Sequence, residues 1–169
     1  MIPNIFNFAA NKYPPMIQRI QSLYLLIADL LIAMLFFVPF AEIAGKDGQL
    51  YLLSATGFRP EEASGGAVLV NTWPLLFLSG VLLLGLIFVL FQFKNRVRQI
   101  KFSYAAILLQ LILTALICFF AWSGSHQVGG TFSLKIYFTL PLIASVIVYL
   151  AIRGIMKDDN LVKSIDRIR

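Results

Sequence analysis

Few side chains in this sequence have the chemistry for catalysis, and they are scattered. Asp29 stands near the middle of LYLLIADLLIAMLFF (23–37), one carboxylic acid among residues otherwise fit for lipid. His126, in SGSHQVGG, is the single histidine and has no acidic or nucleophilic partner close to it in the chain. Ser123 and Ser125 beside it carry no serine-hydrolase motif. Cys118, the single cysteine, lies in an apolar run and reads as a small hydrophobe. One Cys and one His exclude an internal disulfide framework and a Cys/His metal centre. No phosphate-binding or redox motif occurs either. The expectation is a protein that is not an enzyme, with no cofactor and no metal.

Asp29 therefore takes its meaning from its surroundings. The chain of 169 residues is 59% hydrophobic and only 13% charged, about half the charge of a soluble domain. The apolar residues come in blocks, and crossing a bilayer takes about 20 of them. Four spans qualify, at about 20–40, 73–93, 102–122 and 136–155. The predicted fold is an all-α integral membrane protein, a four-helix transmembrane bundle over residues 16–156. Span one is too long for the h-region of a signal peptide, roughly 7–15 residues. Its cleavage points would also place Glu42 or Pro39 at the −3 position, so it is read as a retained helix.

The basic residues orient the spans. Of the 14 Lys and Arg, 11 fall before span one, in KNRVRQIK between spans two and three, or in the tail. Lys46, Arg59 and Lys135 are left for the other side, with Glu42, Asp47, Glu61 and Glu62. Positive charge marks the cytoplasmic side, so both termini are expected there, in an inner membrane. Arg96, Arg98, Lys101, Lys163 and Arg167 then form a face for lipid head groups or a partner. Nucleic acid is excluded as a partner, because no soluble basic domain is present to bind it.

The outer loop, residues 42–72, holds two β-like runs, GQLYLLSATGF and GGAVLVNTW, separated by the turn-rich RPEEASGG. QVGGTFSLKIYF offers a third. A β-hairpin or three-stranded cap packed on the helix ends is expected; the alternative is a wandering loop. Four helices with inner termini and an outer β cap also outline claudin-like proteins. The paired cysteines of that group are absent, so the likeness is one of architecture.

Within the spans, polar residues fall into seams. Gln18, Ser22 and Asp29 share a face of span one; Ser103, Gln110 and Thr114 share one of span three; Tyr137, Pro141, Ser145 and Tyr149 recur along span four. Asp29 lies about 15 Å beyond Arg19, and the same depth on the other helices brings Gln110, Ser145 and Tyr149 near it. Seams of this kind turn inward, because lipid cannot satisfy them. Asp29 is then either a neutral acid bonded to Gln110, Ser145 or Tyr149, which is the favoured reading, or a protonatable group on a transport path. Pro141 is expected to kink span four and free the carbonyl of Tyr137.

The tail KDDNLVKSIDRIR (157–169) offers Asp159 or Asn160 as a helix N-cap. Beyond the cap, Leu161, Val162, Ile165 and Ile168 lie on one face and charge on the other. A short amphipathic helix is expected, lying at the membrane surface or docking in a groove on a partner. MIQRIQSLYLLIADLL (16–31) and RGIMKDDNLVKSIDRIR (153–169) together resemble an uncharacterised family of small four-span proteins of the Bacteroidetes, domain-of-unknown-function family 4293. The resemblance implies an inner-membrane location and no assigned activity. Members of that kind tend to begin at the methionine that is Met16 here. Residues 1–15 are therefore either a misassigned start or a genuine extension.

Two functions follow as expectations. The first is a non-enzymatic accessory or assembly subunit working by protein or lipid contact. The second is a small oligomeric transporter or channel built on the seam around Asp29. The partners are the bilayer and either a second membrane protein or further copies of this chain.

Overall fold

The computed structural model describes residues 16–61, 70–92 and 95–166. It is mostly helical: α1 spans Met16–Met34, α2 Trp73–Phe91, α3 Arg96–Gln127 and α4 Leu140–Asp166. Strands β1 (Ala41–Ala44), β2 (Leu50–Ser54), β3 (Gly57–Pro60) and β4 (Thr131–Leu134) form one antiparallel sheet in the order β3-β2-β1-β4. Among the described residues three helical stretches, Trp73–Phe91, Arg96–Gln127 and Ile136–Asn160, are long and apolar enough to cross a membrane. The described apolar part of α1, Ile20–Met34, is shorter.

The helices form where long apolar runs carry no proline beyond the first turn, and local chemistry sets their ends. Pro74 opens α2, where its missing N–H costs nothing. Asn95 caps α3 by accepting the Arg98 N–H at 3.3 Å. α1 stops at Met34 rather than at residue 40, because Pro39 pushes Val38 out of helical conformation and the chain then enters β1. α3 runs five residues past its expected end, so His126 occupies its last turn and not a loop. Its C-terminus closes on Gly129 at φ +61°, with the Gly130 N–H returning to the Ser125 carbonyl at 2.9 Å.

Buried residues along each helix alternate by three and four: 21, 25, 28, 32 and 35; 75, 79, 82, 86 and 89; 99, 103, 106, 110, 113 and 117; 141, 144, 148, 151 and 155. This 3.5-residue repeat is the spacing that keeps side-by-side helices in register. α1 packs on α2 and α4, α3 packs on the same two, and residues from all four build one apolar core. The opposite faces expose Leu23, Leu30, Phe77, Leu84, Leu108 and Val146, among others. A water-soluble chain would place polar residues there.

The sheet sits on the C-terminal end of α3. Ala41, Ile43, Tyr51, Leu53 and Phe58 form its inner face and bury themselves with Ala121. A Cβ at Gly124 would stand 3.0 Å from Ile43 Cδ1, so the glycine allows the sheet to sit this close. Lys135 forms an ion pair with Glu42 across the β1–β4 edge.

Several expectations are corrected. Among the described residues the cap has four strands. GQLYLLSATGF is a complete hairpin, β2–β3, because Ala55-Thr56 supplies a tight turn within it. AEIA, read as the start of a loop, is the sheet's interior strand β1, paired on both sides. GGAVLVNTW contributes, among the described residues, a single bridge from Val70 to Phe58. Pro141 does not kink a helix: a 3₁₀ turn, Ile136–Thr139, precedes α4, and Pro141 sits in the first α turn. The Tyr137 carbonyl accepts the Leu140 N–H and is not freed. The tail is not a separate capped helix either, since α4 continues through it without a break to Asp166. Residues 1–15 lie outside the described residues.

Candidate functional site

Apart from residues at its two ends, the shared core consists of hydrocarbon and a few polar side chains. At the end of the bundle away from the sheet the polar groups are paired. Gln21 Nε2 donates to Asp158 Oδ2 at 3.0 Å and ties α1 to α4. Gln99 Nε2 donates to the Val89 carbonyl at 3.3 Å and ties α3 to α2. Further in, pairing stops. Ser79, Ser103 and Gln110 are 0% exposed, and among the described residues the Ser79 and Ser103 hydroxyls and both ends of the Gln110 amide have no hydrogen-bond partner. Asp29 flanks the seam residue Ala28 and is half-buried; its Oδ1 is sealed and also lacks a partner. A dry, unpaired buried polar group costs about 1–3 kcal/mol. Among the described residues, unpaired polar atoms thus stand on three helices in or beside one apolar core.

The four residues expected to cluster meet different fates. Gln110 lies fully inside and Asp29 at the edge of the core, as described. Ser145 turns its hydroxyl to the Leu142 carbonyl of its own helix at 2.7 Å. Tyr149 points away from the core and is 46% exposed. Thr114 likewise bonds back to the Gln110 carbonyl at 2.9 Å, a habit of hydroxyls within helices. Sequence reasoning grouped Ser145 with Tyr149 by steps of four, a stripe that drifts round the helix. The alternating three–four repeat would have put Val148 inside and Tyr149 outside. It would also have found Ser79 and Gln99, which were missed.

Basic residues gather at this same end of the bundle, away from the sheet. Arg98 and Lys101 are exposed and Arg96 half-buried on the first turns of α3, where there is no acidic residue. Cations there oppose the helix dipole, at about 0.3–1 kcal/mol each at low ionic strength. Helix stability therefore does not explain them. Lys163 lies in the last turns of α4, and Arg167 is outside the described residues.

At the sheet end His126 packs edge-on against Trp122 with ring centroids 4.7 Å apart. The Ser125 hydroxyl is committed to the Trp122 carbonyl at 2.7 Å. In the β1–β2 loop, Tyr51 Oη donates to Asp47 Oδ2 at 2.6 Å, and the Gln49 N–H donates to Oδ1 at 3.1 Å. These bonds, the phenol first, hold the Asp47 carboxyl below its ordinary value; the same bond pushes the Tyr51 phenol up. Among the described residues no three His, Cys, Asp or Glu gather to hold a metal.

A family model described as domain of unknown function DUF4293 matches residues 17–168. No curated protein matches the chain.

Proposed function

The chain belongs to the DUF4293 family, and on that footing we propose that it is a multi-pass inner-membrane protein of four spans with both termini in the cytoplasm. Its work is accessory or assembly contact rather than catalysis. The observation that carries the membrane reading is the placing of exposed aromatic rings. Trp73 and Phe91 stand at opposite ends of α2, and Tyr104 and Trp122 on α3, each pair about 27 Å apart along its helix. Rings at that separation suit the two faces of a hydrocarbon layer about 30 Å thick. α1 has 19 residues and a rise of about 28 Å, which supports counting it as the fourth span.

Orientation rests on the basic residues at the start of α3, whose position against the dipole makes sense beside anionic head groups. The contact role is supported by the sheet, which gives a small protein an ordered structure outside the bilayer. The test is affinity purification from native membranes in mild detergent through a C-terminal tag, with mass spectrometry and native mass read together. A stoichiometric foreign partner supports the accessory role. A homo-oligomer without one favours the second reading, a small transporter or channel. The unpaired atoms of Asp29, Ser79 and Gln110 are the observation on that side.

A further inference from the structure

We infer that Ser79, Gln110 and Asp29 bind internal water, as an occluded hydration site between the helices. The Gln99–Val89 contact sets the register of α2 against α3. Counting outward from it, Ser79 is ten residues along α2 and Gln110 eleven along α3, at heights of about 15 and 16.5 Å. Two fully buried polar side chains on packed neighbouring helices thus stand level, both on the core-facing repeat and both without a partner among the described residues. α1 packs on α2 as well. Counted from the outer ends of their helices, Asp29 and Ser79 lie about 7.5 and 9 Å in.

The three side chains are chemically suited to water. Gln110 brings two N–H donors and an acceptor, Ser79 a donor and acceptor, and Asp29 a carboxyl oxygen. A buried water typically makes about three hydrogen bonds to groups of this kind. Two waters would serve the whole set, whereas each side chain alone has nothing to bond. Leu75 and Leu113 lie toward the outer end and Leu86 and Ala106 toward the inner end, all buried, so the site is closed to bulk solvent on both sides. The inference rests on the membrane reading only for the medium in which it is tested, and it holds for either the contact or the transport role.

The test is magnetisation transfer from water to the Gln110 side-chain amide by solid-state NMR, on the full chain in lipid bilayers. The expected result is transfer several-fold stronger than to the backbone N–H groups of Leu109 and Leu111 on the same turn, with exchange of the amide protons for deuterium. Ser79→Ala is expected to weaken transfer to Gln110 and leave that to Gln99 unchanged. A Gln110 amide that receives no water magnetisation and keeps its protons in deuterium oxide overturns the proposal, showing the polar groups paired dry. If the chain does not enter bilayers, the membrane reading fails; the same amide measured in micelles still decides the hydration.

Discussion

Single residues decide how closely the parts of this protein approach. A Cβ at Gly130 would stand 1.8 Å from the Ala44 carbonyl oxygen, whereas one at Gly85 meets open space. Gly130→Ala is therefore expected to displace β4 from β1 and lower the thermal midpoint. Gly85→Ala should be neutral or stabilise by up to about 1 kcal/mol through helix propensity. Equal effects of the two in thermal unfolding would show that the sheet is not seated as described. The Asp47–Tyr51 pair supplies a pH prediction. The depressed Asp47 value adds stability above the unfolded carboxyl's value of about 3.9, lost as pH falls through the lower folded value. The raised Tyr51 value adds stability below about 10, lost as pH rises through the higher folded value. The pair is thus intact across neutral pH. Tyr51→Phe should move the Asp47 midpoint upward in a carbon-detected NMR titration, and a fixed midpoint would assign the effect to the Gln49 N–H alone.

At the scale of elements, the sheet hangs on the last turns of α3 through one small apolar cluster. Phe58 is 1% exposed in it and stacks on Tyr51 with centroids 5.3 Å apart. Phe58→Ala is expected to cost about 3–5 kcal/mol locally. Residues 41–60 should then become open to protease while circular dichroism keeps its helical amplitude. Loss of both together would mean that sheet and helices fold as one unit. The long α3 was only partly legible in the sequence. Its apolar run ends at Trp122, and the last turn is SGSHQ, a stretch of weak helix formers. Packing against Ile43 and Phe58 and the glycine C-terminus hold that turn helical, and neither is a local signal. β1 was missed for a related reason: four residues carry little periodicity, and its identity comes from the two strands beside it.

At the scale of the whole molecule, the proposed orientation predicts which ends are reached from which side. With Cys118 replaced by Ala, Gln127→Cys should react with an impermeant thiol reagent on intact cells after outer-membrane permeabilisation. Lys157→Cys should react only once the inner membrane is opened. The reverse pattern would turn the protein over and remove the argument from the basic residues at α3.

Long apolar runs, their turn-bounded ends and the one-sided distribution of Lys and Arg are local or additive properties. From them the sequence alone determined a helical chain with apolar spans and a β-containing cap, and led to an expected orientation. The placing of polar groups was decided by tertiary structure, because a polar residue on a helix faces the core or lipid according to a rotation of the whole helix. Gln110 and Tyr149 show the difference. Each is a polar side chain in an apolar run, and only the packing of four helices puts the first at 0% exposure and the second at 46%. Asp29 lies between these cases, one position off its helix's buried repeat, half-buried but with one carboxyl oxygen sealed.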